Sequence, residues 1–487
     1  MPVTKADEQR VVAAVPSGAL IGGEWIQTGR TIAVDDPSTG TTLTEIADCG
    51  ADEALAALAA AAGAQAAWAA HPPRERGEIL RRAYEAMTDR GDDLALLMTL
   101  EMGKPLAESR GEVAYAADFL RWFAEEAVRI SGRYSTAPSG DHRMMTIQQP
   151  VGPCVLITPW NFPAAMATRK IGPAIAAGCT MVLKPAKETP LSSMMVAEIL
   201  REAGLPDGVL NVVCGASAGA IVGPLLNDTR TRKLSFTGST EVGRMLIEQA
   251  AQNVLRVSME LGGNAPFLVF DDADLDAAID GAMIAKMRNT GEACTAANRF
   301  LVHESLAGEF ARRLAERIGA LKVGRGTEDG VDVGPLVNEA QRETVDELVT
   351  DAVDRGAQAL TGGARLDGPG HFYAPTVLGA VEPGTRLLRE EIFGPVAPVM
   401  SFSTDEEAIA AANDTEFGLV AYLFTRDHAR ALRVTESLDT GMVGLNRGLV
   451  SNAAGSFGGR KHSGYGREGG VDGVAEYLAT KYVALSV

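Results

Sequence analysis

Cysteine is scarce in this chain: five residues, at positions 49, 154, 179, 214 and 294, odd in number, widely spaced and never in a CxxC pair. That argues against a disulfide framework and against a zinc knuckle, and it fits a reducing compartment, so a cytoplasmic location is expected. The six histidines are isolated as well, with no HxH or HxxxH pair, and no metal site is expected. Positive charge is short: 45 Lys and Arg face 63 Asp and Glu, a net charge of -18. Such a surface repels a phosphate backbone, which excludes nucleic acid as a partner. An anionic ligand must then be held by a few local Arg or Lys side chains working against the global field. The sequence also lacks any uninterrupted apolar run of about eighteen residues, and its start, MPVTKADEQR, has no apolar signal core, so no membrane association is expected. The nearest approach, residues 51–70, is mostly alanine with Asp52, Glu53 and Gln65 inside. It reads as an amphipathic helix on a soluble core.

What is present is an ordinary globular composition, 46% apolar and 22% charged, over 487 residues. That length exceeds what one hydrophobic core sustains and predicts two large lobes. From about residue 150, apolar runs alternate with helical stretches: GPCVLIT, AAMATRKIGPAIAAG, CTMVLK, PLSSMMVAEILREAG, VLNVVCG, AGAIVGPLLND, KLSFTG, EVGRMLIEQAAQ. This is the pattern of βαβ units on a parallel sheet, a doubly wound α/β lobe. A second α/β lobe begins near residue 261, with NAPFLVF, a long helix over DLDAAIDGAMIAKMRNTG, the strand NRFLVHE and the helix LAGEFARRLAERIGAL. Residues 130–148 read as a β-ribbon around a Pro-Ser-Gly-Asp turn. The end, TKYVALSV, is extended too, with Val483, Leu485 and Val487 on one face. Exposed edges of this kind call for partners, either across a subunit interface or in a private hairpin.

Cys294 differs from the other cysteines in kind. Cys154 and Cys179 sit in apolar runs and read as core, whereas Cys294 follows a Gly-containing turn in NTGEACTAANRF, at a helix end and before a strand. A thiol attacks as thiolate, so it needs a base or a lowered pKa, and it needs donors for the oxyanion that attack creates. Glu260 in SMELGGN ends an apolar strand before two glycines; a buried carboxylate there would have a raised pKa and could serve as a general base, a cap or salt-bridge carboxylate being the alternative. Asn161 in TPWNFP carries an amide suited to an oxyanion, though alone it is a turn former. Gly238 and Ser239 in FTGST sit where a strand meets a helix N-terminus, a place that binds anions. No GxGxxG follows an early strand. Lys184 in LKPAKETP ends another strand of the same sheet, at the edge where doubly wound folds bind cofactors.

Taken in order, TPWNFP, KPA, FTGST, MELGGN, GEAC and EEIFGPV resemble the aldehyde dehydrogenase superfamily over essentially the whole chain. The resemblance implies a cofactor-binding domain (1–129 and 149–260), a catalytic domain (261–469), a β-ribbon for oligomerisation (130–148 and 470–487), and a homodimer or homotetramer. It implies that Cys294 forms a thiohemiacetal and then a thioester, that Asn161 and the Cys294 amide hold the oxyanion, and that Glu260 activates water. It also implies that Lys184 and Glu391 hold ribose hydroxyls, that Phe393 lies by the nicotinamide ribose, and that Trp160, Gly238 and Ser239 line the pyrophosphate path. AAMATRKIGPAIAAGC, MRNTGEAC, NDTEFGL and FGGRKHSGYGREG are closest to succinate-semialdehyde dehydrogenases. In that subfamily, Arg169, Arg288 and Ser451 match the groups that bind the distal carboxylate of the aldehyde, a task suited to bidentate Arg. A glutarate-semialdehyde or other ω-carboxylated substrate is the alternative, since two arginines sense a carboxylate without measuring chain length. An acyl transfer to coenzyme A and a non-catalytic binding role are more remote, because Cys294, Glu260 and Asn161 are all intact. Three positions depart from the pattern. Ala296 replaces a common second cysteine, Glu292 stands where glutamine is commoner, and Lys187 stands where NAD-preferring relatives often carry glutamate. Lysine there suits a 2'-phosphate, so NADP is expected over NAD, with dual use open.

Overall fold

A computed structural model of the chain describes residues 3–486; Val487, read above as part of the ribbon, lies outside them. Five parallel strands form the centre of an eight-stranded sheet, in spatial order Arg256–Glu260, Lys233–Thr237, Cys154–Ile157, Met181–Lys184 and Leu210–Val212. Its edges are antiparallel, Gly464–Tyr465 on one side and the hairpin Ala19–Ile21 with Glu24–Ile26 on the other. Helices cover both faces, so the central strands are buried on both sides and read in sequence as near-continuous apolar runs. Helix Pro163–Ala177 is buried over its whole length and stops at Gly178, whose φ of 88° ends it in the left-handed region.

The strand order creates a switch point. From Cys154–Ile157 the chain steps outward through Met181–Lys184 and Leu210–Val212, then returns to the opposite side for Lys233–Thr237 and Arg256–Glu260. The loops after Cys154–Ile157 and Lys233–Thr237 therefore diverge and leave a crevice at the carboxyl ends of these strands.

A second, seven-stranded sheet runs Gln358–Thr361, Thr376–Gly379, Val396–Phe402, Ala297–His303, Ala265–Val269, Val420–Phe424, Met442–Leu445. Only its first strand is antiparallel to its neighbour. Aromatic packing fills its core: the Phe267 ring lies 5.0 Å from Phe424, 5.1 Å from Phe300 and 5.8 Å from Tyr422. The long helix expected over 274–291 ends earlier. It spans Leu275–Met287, after which Asn289, Thr290 and Gly291 take φ of 56°, 57° and 77°. Successive left-handed residues cannot extend a right-handed helix, and local periodicity carries no trace of the tertiary contacts that impose the turn.

The ribbon forms as Arg133–Thr136 against His142–Pro150, and the C-terminal strand Leu478–Ser486 pairs antiparallel with the latter, from Leu478↔Pro150 to Ser486↔His142. The two stretches thus join each other within one chain, with Tyr134 and Tyr482 exposed on the flanking strands. Among the described residues, no helix is long and apolar enough to cross a membrane, and no cluster of His, Cys, Asp or Glu side chains is built to hold a metal ion.

Candidate active site

The switch-point crevice opens onto the second lobe in a cavity of about 260 Å³. Trp160, Asn161, Arg169, Gly238, Ser239 and Glu260 line it from the first lobe, and Arg288, Cys294, Glu391, Phe393 and Ser451 from the second. Of the residues expected to act on substrate or cofactor, Lys184 and Lys187 are not in its walls. Lys184 is buried at the end of its strand, and Lys187 stands exposed in the loop that follows.

Cys294 is half-buried at the base of this cavity. The segment around it is fixed from both sides: the Tyr422 hydroxyl donates to the Thr295 carbonyl at 2.8 Å, and a Cβ on Gly263 would lie 2.5 Å from the Cys294 carbonyl oxygen. Only glycine allows this approach, which is the reason for a Gly-Gly pair after Glu260. Burial pushes the thiol up to about 12; Arg169 and Arg288 draw it down, while Glu391 and Glu260 push further up. The resting group is a thiol, and its attack requires a base.

Glu292 adds no negative charge beside it. Its carboxyl is fully buried, with Oε1 accepting from the Val337 N–H at 3.0 Å and Oε2 without a partner. Burial holds it well above the usual carboxylate range, outweighing the Val337 hydrogen bond and Lys104, so the group is a neutral acid.

Glu260 ends its strand in the cavity wall with both carboxylate oxygens buried and unpartnered among the described residues. Burial raises its pKa well above the ordinary value; Glu468 raises it further, and Arg169 and Lys170 oppose. Behind it lies a buried ion cluster. Arg169 and Lys170, adjacent on helix Pro163–Ala177, both reach Glu468, Nε to Oε2 at 2.5 Å and Nζ to Oε1 at 2.5 Å, and Lys170 also donates to Ser235 at 2.9 Å. Burial works against the charge on Glu468, but the two cations overcome it and hold the carboxylate low. Arg169 also stacks on Phe457, 4.2 Å from the ring centroid.

Asn161 is buried, and its Nδ2 donates to the Glu292 carbonyl at 3.0 Å. Its own carbonyl accepts from Lys104 Nζ at 2.7 Å, and Lys104 is paired at 2.6 Å with Glu112, whose other oxygen accepts the first amides of helix Pro163–Ala177, from Ala164 and Ala165. Arg288 is different from Arg169. Its guanidinium meets Ser451 Oγ at 3.2 Å and lies 4.7 Å from the Phe162 ring centroid. Nearby Glu108 is half-buried, and desolvation pushes it toward its neutral form, despite a hydrogen bond from Asn289 and the charges of Lys104 and Arg288.

At the other end, Ser239 caps helix Thr240–Ala251, accepting from Val242. The amides of Thr240 and Glu241 in that helix's first turn have no intrahelical partner, and they lie next to Ser239 and Gly238, which line the cavity, so this end suits an anion. Trp160 and Phe393 meet edge to face at 5.2 Å. Glu391 accepts from the Gly263 N–H at 2.9 Å, while burial raises its pKa to about 7 against that bond and Lys286. Free helix amides, a flat aromatic pair and a carboxylate that accepts hydroxyl protons form a donor set that suits a dinucleotide's diphosphate and ribose.

Sequence reasoning missed Glu468, Lys104, Glu112, Phe162 and Phe457, and also Tyr115, which lines the cavity. Glu468 had a signal, a lone carboxylate among glycines in GYGREGG; the others lie in helices or loops whose side chains meet the site only after folding.

Residues 25–483 match the aldehyde dehydrogenase family. A succinate-semialdehyde dehydrogenase of Paenarthrobacter nicotinovorans is 61% identical, over 91% of this chain and 99% of its own. A glutarate-semialdehyde dehydrogenase of Pseudomonas putida is 50% identical, over 96% of this chain and 98% of its own. Among solved structures, an NADP-dependent enzyme of E. coli superposes with a TM-score of 0.96 at 49% identity, covering 97% of this chain and 98% of the other.

Proposed function

The chain belongs to the aldehyde dehydrogenase family, and from that premise we propose that it oxidises succinate semialdehyde to succinate with a nicotinamide cofactor. The observation that carries the substrate reading is Arg288. It is a cavity cation whose contacts among the described residues are a hydroxyl and an aromatic ring rather than a carboxylate. A cation left without its counter-ion in a mostly apolar cavity is matched by an anionic substrate. Arg169 has its counter-ion in Glu468, although its Nε and Nη2 make no hydrogen bond among the described residues; it adds positive field at the same end, and Arg288 with Ser451 makes the direct contacts. The Pseudomonas putida relative favours a second reading, glutarate semialdehyde, which offers the same carboxylate one methylene farther from the aldehyde.

In the proposed mechanism, Glu260 in its ionised form takes the Cys294 proton as sulfur bonds to the aldehyde carbon. The carbonyl oxygen becomes an oxyanion held by the second N–H of the Asn161 amide and by the Cys294 backbone N–H. Bound NADP or NAD supplies the acceptor for the hydride that leaves the thiohemiacetal carbon. Cys294 is then acylated as a thioester. Glu260 gives up the Cys294 proton to solvent and, ionised again, takes one from water as the hydroxide oxygen bonds to the thioester carbon; the carbon–sulfur bond then breaks, the acid leaves, and the departing thiolate takes the proton from Glu260 to restore the thiol. A neutral Glu292 leaves this sequence undisturbed.

Trp160, Gly238, Ser239, Glu391 and Phe393 would hold the cofactor, with Lys184 at its ribose. Lys187, exposed beyond Lys184, suits a 2'-phosphate, so NADP is the preferred form. The first sheet's regions, 1–129 and 149–260, form the cofactor-binding domain, 261–469 the catalytic domain, and 130–148 with 470–487 the oligomerisation ribbon. The open strands of that ribbon assemble a homodimer or homotetramer in the cytoplasm. The test is absorbance of the reduced nicotinamide, crossing NAD and NADP with aldehydes of graded length and charge. Equal turnover of succinate semialdehyde and uncharged butanal would reject the substrate reading.

A further inference from the structure

The segment from Arg288 to Cys294 carries both ends of the proposed substrate site, the carboxylate anchor and the nucleophile. Between them the chain is wound left-handed at Asn289, Thr290 and Gly291. Glycine takes that conformation freely and asparagine tolerates it, but β-branched threonine is disfavoured there, so the turn persists only because its surroundings over-determine it.

Asn289 supplies that determination. It is fully buried, its backbone N–H donates to the Glu108 carboxyl, and its Nδ2 donates to two carbonyls, Glu292 at 2.8 Å and Asn161 at 3.1 Å. The Glu292 carbonyl also accepts from Asn161 Nδ2, and the Asn161 carbonyl from Lys104. On the far side, a Cβ on Gly291 would lie 2.2 Å from the Gly394 carbonyl oxygen. The turn is therefore clamped from both sides, while the Arg288 side chain projects into the cavity against Ser451 and Phe162.

We propose that Asn289 is a specificity-determining positioning residue: by locking this turn it fixes the spacing of Arg288 from Cys294, and so the number of carbons accepted between aldehyde and carboxylate. The inference rests on Arg288 as the carboxylate anchor. A rigid turn holds the guanidinium at one distance from the sulfur, whereas a loose one lets it follow chains of different length.

The experiment measures kcat/KM for terminally carboxylated aldehydes of three, four and five carbons, with butanal as the uncharged control. The native enzyme is compared with Asn289→Gly, which keeps the left-handed backbone accessible and deletes both side-chain donations. The native profile is expected to fall about tenfold or more for one methylene away from the optimum, the usual effect of one methylene in a fitted pocket. Asn289→Gly is expected to flatten it to within about threefold, with any loss of kcat shared by butanal. A steep profile that survives in the variant at uniformly lower rates overturns the proposal, and so does a flat native profile. A native enzyme that turns over butanal as well as the carboxylated aldehydes rejects the anchor itself, and the proposal falls with it. If circular dichroism shows that Asn289→Gly does not fold, Asn289→Asp, of the same shape but without the two amide N–H groups, is judged by the same outcomes.

Discussion

Arg169 Nε lies 2.5 Å from Glu468 Oε2 in a fully buried contact, directly behind the unpartnered carboxylate of Glu260. Glu468 is the second cause, after burial, of Glu260's raised pKa. Glu468→Gln removes that negative charge and leaves Arg169 and Lys170 to favour the ionised form of Glu260. A base works when deprotonated, so the acid limb of the kcat–pH profile should move to lower pH, by about one unit as a typical charge effect. It should still stay above the ordinary carboxylate range, because burial is untouched. A limb that stays put or moves upward would exclude Glu260 as the titrating base.

The two arginines should part company on substitution. Arg288→Ala removes a cation without a carboxylate partner, so thermal stability should change little. KM for succinate semialdehyde should rise about tenfold to a hundredfold, as expected for a charge-assisted hydrogen bond, with KM for butanal unchanged. Arg169→Ala leaves buried Glu468 with Lys170 as its one remaining cation. Removing one member of a buried pair typically costs about 3–5 kcal/mol, so its unfolding midpoint should drop clearly. Similar stability losses in both variants would contradict this division of labour.

The βαβ alternation was legible because strands buried on both faces have to be apolar, and Cys294 was legible because its polar, Gly-flanked turn contrasts with the apolar settings of Cys154 and Cys179. The turn at Asn289–Gly291 was not, since the helical period of DLDAAIDGAMIAKM runs straight into it and the opposing contacts come from Glu108, Asn161 and Gly394, all distant in sequence. The pairing of Arg169 was hidden for the same reason: Glu468 lies nearly three hundred residues away along the chain. The sequence marked Arg169 and Arg288 alike, and only their surroundings separate them.

Lys187 offers a direct test of cofactor choice. It is exposed in the loop after Met181–Lys184, so a charge change there leaves the core undisturbed. Lys187→Glu should lower kcat/KM for NADP by about tenfold or more, in keeping with one charge-assisted phosphate contact, and raise that for NAD relative to NADP. A native preference for NAD, or an unchanged ratio in the variant, would remove Lys187 from the cofactor site.

Glu292 links the site to stability through pH. Below about pH 4.5 the carboxyl is protonated in both folded and unfolded chains and its titration contributes nothing. Above that, the unfolded chain releases the proton while the folded protein keeps it, because burial holds Glu292 well above its usual range. Native stability therefore falls as pH rises, by about 1.4 kcal/mol per unit until the folded pKa is passed. Glu292→Gln keeps the acceptor for the Val337 N–H and has no proton to lose. Buried Glu101 and half-buried Glu108 and Glu391 titrate alike in both proteins and cancel in the difference. The margin in unfolding free energy of the variant over the native protein should consequently widen as pH rises above about 5, until the folded pKa of Glu292 is passed, while kcat stays within about twofold, as for a group held toward its neutral form. Denaturant unfolding at four pH values reads this margin, and one that is constant or narrows with pH would mean that Glu292 is ionised in the folded protein.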